Sequence, residues 1–170
     1  MNFLNYLLTS IVLFGALNIS YNYDLSNSDR NGLYDKEANV YIEFSFLPTN
    51  YNSLFKIVEK SPYKMEVTIN FFDSKYLNYK ITSLMLYKNI DGVNEEINLI
   101  DMNFDYDKGW KALSEQKNLI FNVPITEKDT KFDIKIRLAM QNQDSSETFC
   151  ENIFSFNQNI SKKRWYPSTW

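Results

Sequence analysis

The chain has 170 residues and a formal net charge of −3 at pH 7, from 18 basic and 21 acidic side chains. This length suits one domain with its own hydrophobic core, and the near-balanced charge provides no concentrated basic face for nucleic acid. The sequence has 0 His and a single cysteine, Cys150, which excludes imidazole-based nucleophilic catalysis, a cysteine zinc site and an intrachain disulfide. We therefore expect neither a cofactor nor an enzymatic activity.

The first element is an apolar stretch, Phe3–Leu17, and the first charged side chain is Asp24. The stretch is shorter than the roughly 20 residues of a membrane-spanning helix, and its length is typical of an export signal. We predict a signal peptide or apolar leader over 1–20 and a periplasmic or extracellular location, with membrane contact only through this segment if it is retained. A bacterial envelope is favoured because secreted eukaryotic domains more often carry disulfides. A helix packed inside the fold is the alternative.

A segment rich in Asn, Asp and Ser predicts an irregular polar spacer over 21–37, so that the folded domain covers 38–170. Strict alternation of apolar and polar residues is the main strand signal in that domain. Seven strands are predicted, over 40–46, 65–71, 79–89, 95–102, 118–125, 131–140 and 147–156.

Two short helices are predicted between these strands. Leu54, Ile57 and Val58 lie at helical spacing, and the polar stretch 108–117 suits a helical link. The Asp91-Gly92 pair provides the positive φ of a tight hairpin turn, so the strands on its two sides should pair in antiparallel fashion.

Seven short, evenly spaced strands predict a single all-β domain built as an antiparallel β-sandwich. In strand count and order this pattern resembles the immunoglobulin-like and fibronectin-type-III-like sandwiches. The resemblance is to an architecture, because the Cys-Trp-Cys signature of true immunoglobulin domains is missing, and it therefore implies a fold without a function.

Three carboxylates form the first candidate site. Asp101, Asp105 and Asp107 follow a period of two together with Asn103, which would project all of them from one face of an extended strand. Such a group can bind a cation such as calcium or serve a carboxylate-dependent enzyme. A solvated strand end that leads into a helix cap explains the same residues.

The C-terminal segment is the second candidate site, because a run of three basic residues is followed there by aromatic residues. A cationic and aromatic surface of this kind can bind a protein groove, a glycan or anionic lipid. The alternative is a terminal strand whose tryptophans cover a sheet edge. The candidate partner-binding residues are Lys162, Lys163, Arg164, Trp165, Tyr166 and Trp170.

Outward-facing tyrosines form the third candidate surface. A flat aromatic face can stack on sugars, although cross-strand pairing on a half-exposed sheet explains the same pattern. The tyrosines predicted to face outward are Tyr41, Tyr63, Tyr76, Tyr79 and Tyr87.

These observations favour an exported, non-enzymatic β-sandwich that binds a protein partner at the bacterial cell envelope, in the manner of an immunity or accessory protein. A glycan-binding module that uses exposed Tyr and Trp is the second hypothesis. A carboxylate-dependent enzyme or calcium site around Asp101–Asp107 is the third.

Overall fold

A computed structural model describes residues 16–25, 32–53, 56–72, 75–90, 93–113 and 118–165. This part of the chain is nearly all β-structure, with ten strands and one short helix. The strands are β1 (Ala16–Leu25), β2 (Gly32–Asp35), β3 (Val40–Ser53), β4 (Lys56–Phe71), β5 (Tyr76–Ile90), β6 (Val93–Asn98), β7 (Lys111–Ala112), β8 (Leu119–Val123), β9 (Lys131–Asn142) and β10 (Glu147–Trp165). The helix, α1, is Leu99–Met102.

The strands form one open, mostly antiparallel sheet in the order β2-β3-β4-β1-β10-β9-β5-β6, with β7 added to β5 and β8 added to β4. Within the described strands, β1 and β4 make the one parallel pair. β4 is long enough to use one edge twice, because its first residues pair with β1 and its later residues pair with β8. The all-β prediction is therefore confirmed.

The alternation in the sequence correctly identified the buried face of several strands. In β3, the apolar residues Val40, Ile42 and Phe44 of the alternating stretch 40–46 are buried. In β9, the five alternating apolar residues from Phe132 to Met140 are buried in the same way. The antiparallel pairing of β5 with β6, which closes with Ile90 opposite Val93, also follows the hairpin prediction.

Strands that are not neighbours in the sheet also contact each other through aromatic rings. Phe44 of β3 meets Phe154 of β10 with ring centroids 4.7 Å apart, and Phe46 meets Phe156 at 5.0 Å. Phe132 of β9 joins the same cluster, 5.4 Å from Phe46. The buried face of β3 therefore packs on the buried faces of β9 and β10, and these rings form the centre of the core.

The predicted spacer over 21–37 is not irregular in the part that the structure describes. β1 pairs with β10 from Ala16 to Leu25, and β2 pairs with β3. The sheet therefore starts well before residue 38, and the leader boundary predicted after residue 20 falls inside β1. Residues 1–15 lie outside the described part of the chain.

The helix predicted from Leu54, Ile57 and Val58 is wrong. Residues 57 and 58 belong to β4, where Ile57 pairs with Asn52 and Val58 pairs with Tyr51 of β3; Leu54 lies outside the described residues. A three-residue helical spacing is a weak signal, and the ladder of backbone hydrogen bonds with β3 decides the local structure here.

The helical link predicted over 108–117 is also wrong where it is described, because Lys111 and Ala112 form β7 against β5. The fourth predicted strand, 95–102, ends early for a visible reason. Asn98 caps a helix by accepting a hydrogen bond from the backbone N–H of Ile100, and α1 replaces the last residues of that strand. Ten strands are found where seven were predicted. β2 and β7 are too short to show an alternation, and the alternation in β1 crosses the boundary predicted between the leader and the spacer.

Candidate functional site

The connection between α1 and β7, residues 103–110, is the most distinctive surface feature of the described chain. We call it the α1–β7 loop. The loop follows α1, whose N-cap residue Asn98 also donates a hydrogen bond from Nδ2 to Asp101 Oδ2 at 2.7 Å. Leu99 and Ile100 are buried and hold this helix on the core. The start of the loop is therefore fixed.

Asn103 attaches the loop to β8. It is buried, and its amide Nδ2 donates to the carbonyls of Leu99 at 2.7 Å and Asn122 at 3.1 Å. Its Oδ1 accepts the backbone N–H of Asn122 at 2.7 Å. The backbone N–H of Tyr106 then donates to the carbonyl of Asn103 at 2.9 Å, which closes a tight turn. A buried side chain satisfied in this way fixes the backbone on either side of it.

Tyr106 anchors the other side of this turn. Its ring packs on Phe121 with centroids 5.0 Å apart, and Lys111 Nζ lies 5.0 Å from its centroid on the ring face. Burial raises the pKa of Tyr106 to about 12. The ring is therefore part of the core contact, and it holds the loop at a second point.

The extended geometry predicted for the three candidate carboxylates is wrong, because α1 and the turn between Asn103 and Tyr106 replace the strand. Asp101 lies in α1 and pairs with Lys108 at 2.9 Å. Asp107 accepts the backbone N–H of Gly109 at 2.8 Å and faces Lys111 at 3.4 Å.

The backbone N–H of Gly109, followed by the charge of Lys111, lowers the pKa of the Asp107 carboxyl. Asp105 is exposed at the turn. Within the described residues, no group of three or more His, Cys, Asp or Glu side chains is placed to hold a metal ion.

Phe104 is the exposed residue of the turn that Asn103 and Tyr106 hold in place. It lies between the buried Asn103 and the exposed Asp105, and 94% of its side chain is exposed. Met102 and Trp110, at the two ends of the loop, are also exposed, and Lys80 Nζ lies 4.1 Å from the Trp110 ring. A fully exposed phenylalanine on a fixed loop has no role in the stability of the fold, and it suits an intermolecular contact.

Most of the predicted tyrosine surface is not formed. Tyr63, Tyr76 and Tyr79 are buried, so their outward placement is wrong. Tyr63 Oη donates to the carbonyl of Tyr21 at 2.9 Å, and Tyr76 Oη donates to the carbonyl of Ala38 at 3.0 Å. Buried tyrosines of this kind satisfy their hydroxyls inside the fold. Tyr41 and Tyr87 are partly exposed.

Tyr87 lies in a groove of about 950 Å³ on β5, β6, β9 and β10. The groove is open and its walls carry amides together with charges of both signs. Its wall residues include Tyr87, Asn94, Glu96, Asp133, Lys135 and Asn157.

The C-terminal candidate residues are only partly within the described chain. Lys162 and Lys163 are exposed on β10, where they pair with Ile19 and Asn18 of β1. The backbones of Arg164 and Trp165 continue the strand. Tyr166 and Trp170 lie outside the described residues.

Cys150 is buried, as its apolar neighbours suggest, and its thiol donates to Asp35 Oδ2 at 3.0 Å. Asn152 Nδ2 donates to the same carboxylate oxygen at 3.2 Å. Burial, reinforced by the hydrogen bond and charge of Asp35, raises the pKa of the Cys150 thiol to about 12. The thiol is therefore protonated at neutral pH, which suits a link between β2 and β10 and not a nucleophile.

Comparison of the chain with protein-family models, with curated proteins and with solved structures finds no match. Among the described residues, no helix combines the length and the apolar character that crossing a membrane requires.

Phe104 is not among the candidate residues predicted from the sequence, although the carboxylates on both sides of it are. An alternating strand would have turned Phe104 and Tyr106 to one side, opposite the carboxylates. The available signal was the Asn98-to-Asp101 spacing, which resembles a helix cap and breaks the alternation before Phe104.

Proposed function

We propose that this protein is a non-enzymatic binding protein that recognises a protein partner through the α1–β7 loop, with Phe104 as the central contact. The observation that carries the proposal is the contrast between the 94% exposure of Phe104 and the burial of Asn103 beside it. An exposed ring on a loop that is already fixed loses little conformational entropy on binding.

The expected partner surface follows from the loop's chemistry. Burial of a phenylalanine ring contributes roughly 2–3 kcal/mol, and such aromatic residues often dominate an interface. Asp105 is exposed beside the ring, so a basic residue at the rim of the partner's apolar pocket would complement it. The partner is thus a protein with an apolar pocket and a basic rim.

We further propose a two-layered immunoglobulin-like sandwich as the architecture that presents this loop. The support is the contact between rings of β3 and β10, two strands that are not neighbours in the sheet. Loops at the ends of such sandwiches commonly carry recognition residues because the strands below them are rigid.

Export to a bacterial envelope and an immunity or accessory role remain part of this proposal. Their support is the uncharged stretch Phe3–Leu17 together with the absence of histidine and the single cysteine. A carboxylate-dependent enzyme or calcium site around Asp101–Asp107 is not carried further, since two of its three carboxylates face lysines.

The test of the proposal is the Phe104→Ala variant. Envelope extracts from the source cells would be passed over the immobilised wild type, and any retained protein would be purified and titrated by calorimetry. We expect Phe104→Ala to weaken binding at least 30-fold, about 2 kcal/mol. Its stability should stay within about 0.5 kcal/mol of wild type because the ring contributes no burial.

Phe149→Ala is the matched control, because Phe149 is an exposed phenylalanine on β10 that stacks with Arg137. It should bind the partner as wild type does. Equal binding by wild type and Phe104→Ala, or equal loss in both variants, would reject the loop as the recognition site.

Carbohydrate binding in the groove beside Tyr87 is the second candidate function. Its specific support is the combination of one partly exposed ring with amide and carboxylate groups on the groove walls, since sugars stack on rings and accept multiple hydrogen bonds. A glycan array should then give a signal that Tyr87→Ala removes and that Tyr34→Ala keeps, because the Tyr34 ring packs on Phe72 and does not line the groove. An array without signal for the wild type retires this candidate.

A further inference from the structure

β10 has one side without a paired strand over its first half. It pairs with β9 from Glu147 to Asn157, and its other side pairs with β1 only from Phe156 onward. In the part of the chain that the structure describes, no strand pairs with 147–155 on that second side. We call residues 149–153, on this side of the strand, the β10 edge.

The hydrogen bonds at the two ends of the β9–β10 ladder show which backbone groups point to this edge. The N–H of Gln158 donates to the carbonyl of Thr130 at 2.9 Å, and the carbonyl of Ser146 accepts the N–H of Asn142 at 2.9 Å. The register between these bonds is continuous, so the even-numbered residues of β10 bond to β9 and the odd-numbered residues point away from it. The β10 edge is therefore lined by the N–H and C=O groups of Phe149, Glu151 and Ile153.

The side chains of these three residues leave the edge accessible to another strand. Phe149 and Ile153 are 50% and 58% exposed. Glu151 lies between them, and its carboxylate is bound to Lys135 at 2.8 Å. Arg137 lies opposite Glu151 on β9, and its guanidinium is 4.9 Å from the centroid of the Phe149 ring. Charged side chains commonly protect sheet edges, but the charges here are already engaged.

Other edges in the described sheet are protected in recognisable ways. On β6, Glu95 faces the buried Lys88 at 3.5 Å, and an inward-pointing charge discourages strand addition. On β8, the side-chain amide of Asn103 binds both the N–H and the C=O of Asn122. The outer part of β3 contains Pro48 and a register shift. The β10 edge has no proline and no register shift, and pairing with a further strand is open to it.

The β10 edge is also held in place before any such pairing. Cys150 and Asn152 direct their side chains inward, where both donate to Asp35 Oδ2 of β2, at 3.0 and 3.2 Å. Together with the ladder to β9, these bonds keep the strand extended. An edge that is already ordered loses little conformational entropy when another strand binds to it.

We propose that the β10 edge pairs with the β10 edge of a second copy of this chain, antiparallel and about a two-fold axis at Glu151. Phe149 of each copy then lies opposite Ile153 of the other. Each of the three outward-pointing residues exchanges two hydrogen bonds with its counterpart. The edge is self-complementary because one apolar residue lies on each side of the axis, two positions away. The proposal goes beyond the partner-binding function and does not depend on it.

Charge and size both fit a second copy. The two Glu151 carboxylates would meet at the axis among cations from both copies, Lys135 and Arg137, which offset their mutual repulsion. The paired segment is short, and its area is below that of a stable obligate dimer, so we expect a reversible equilibrium of monomer and dimer. β7 lies beyond β9 and β5 as seen from this edge, and the pairing therefore does not involve the α1–β7 loop.

Sedimentation velocity of the full chain, from about 1 µM to about 1 mM, measures the equilibrium. The wild type should change from monomer to dimer within this range. Glu151→Pro removes an N–H from the edge and no bond to β9, because residue 151 points away from β9. It should raise the dissociation constant of the dimer at least about tenfold. Glu147→Pro is the matched control, since it removes the same charge and an N–H on the same side of β10 outside the paired residues. It should dimerise as the wild type does.

Amide hydrogen exchange of the wild type gives a second readout, which does not depend on the folding of any variant. The amides of Phe149, Glu151 and Ile153 should exchange more slowly at high protein concentration than at low concentration. The amides of Cys150 and Asn152 bond to β9 and should be protected equally at both concentrations.

A wild type that stays monomeric up to about 1 mM would overturn the proposal. A dimer that Glu151→Pro leaves intact would also overturn it, as would a dimer whose three edge amides exchange as fast as in the monomer, because either result would place the contact elsewhere. Edge amides that are slowed only by a purified partner protein would assign the β10 edge to that partner and reject the second copy.

Discussion

Lys88 shows how a single charged residue fixes a turn of the fold. It lies on the face of β5 that also carries Leu84 and Leu86, and its side chain is only 6% exposed. Its ammonium donates to the carbonyl of Pro124 at 2.5 Å and faces Asp129 at 3.8 Å. Lys88 therefore holds the β8–β9 turn, residues 124–130, against β5.

The Lys88→Met variant tests this role. Methionine fills the same volume but leaves the buried Asp129 without its cation, so we expect a loss of about 3–5 kcal/mol in the free energy of unfolding, measured in urea. Asp129 still accepts the backbone N–H and hydroxyl of Thr126, and the protein should remain folded. Lys128→Met, at an exposed position of the same turn, should change stability by less than about 0.5 kcal/mol.

Addition of Asp129→Asn to Lys88→Met separates the buried charge from the lost packing. If the unpaired carboxylate causes the loss, the double variant should recover part of it. A Lys88→Met protein as stable as wild type would show instead that the ion pair contributes nothing to the attachment of the turn.

At the scale of single elements, the sequence predicts those strands whose two faces meet different environments. β9 is the clearest case, because Phe132, Ile134 and Ile136 face the core while Asp133 and Lys135 do not. The hairpin of β5 and β6 was also predictable, since Asp91-Gly92 gives a turn its required residues. A strand with one buried face has apolar residues at every second position, and this alternation can be recognised from the sequence alone.

The elements that the sequence did not predict lack this difference between faces. The start of β1 and the end of β3 belong to the sheet because their backbones pair with β4. Leu17 and Ile19 of β1 do alternate with Asn18 and Ser20, but neither face of this segment is fully buried, and the end of β3 shows no apolar alternation. Backbone pairing between distant segments leaves little trace in local composition. In β5, a register irregularity between Ile81 and Ser83 shifts the buried face by one residue, which local alternation cannot predict.

The candidate loop was located by the sequence but its geometry was not. The run of carboxylates indicates a candidate site over 101–107. The path of the backbone there depends on the buried Asn103 and on the hydrogen bonds that this residue makes with β8. These partners lie 19 residues further along the chain. The exposure of Phe104 is a consequence of that long-range contact, and no local pattern encodes it.

At the scale of the whole molecule, one polar network joins β1, β4, β10 and the β8–β9 turn. Tyr23 Oη of β1 donates to the carbonyl of Thr126 at 2.6 Å and accepts from Gln158 Nε2 of β10 at 3.2 Å. Gln158 also donates to the carbonyl of Glu127 at 3.0 Å, and Ser61 of β4 donates to the Glu127 carboxylate at 2.7 Å. The contact between these four parts of the fold therefore depends on a neutral Tyr23 hydroxyl and on a Glu127 carboxylate that keeps its hydrogen bond with Ser61.

The protonation of the buried acids predicts how stability depends on alkaline pH. Burial raises the pKa of Tyr23 to about 12 and that of Tyr106 to about 12, from an ordinary value of 10.0. Burial likewise raises the pKa of Cys150 from 9.0 to about 12. Because each folded-state pKa lies above the unfolded value, these groups contribute stability that is fully present below pH 9 and is lost as pH rises toward 12.

Urea unfolding at intervals from pH 7 to pH 11.5 should accordingly show a flat midpoint up to about pH 9, followed by a progressively steeper fall above pH 10. Tyr23→Phe is the informative variant, because it removes one of the titrating groups and keeps the ring that packs 4.9 Å from Phe132. It should lower stability at pH 7 by about 1 kcal/mol through the lost hydrogen bond, and its alkaline slope should be shallower than that of the wild type. A wild-type midpoint that stays flat to pH 11.5 would mean that these hydroxyls and the thiol reach solvent, and would contradict the packing of β1 and β10 around the turn.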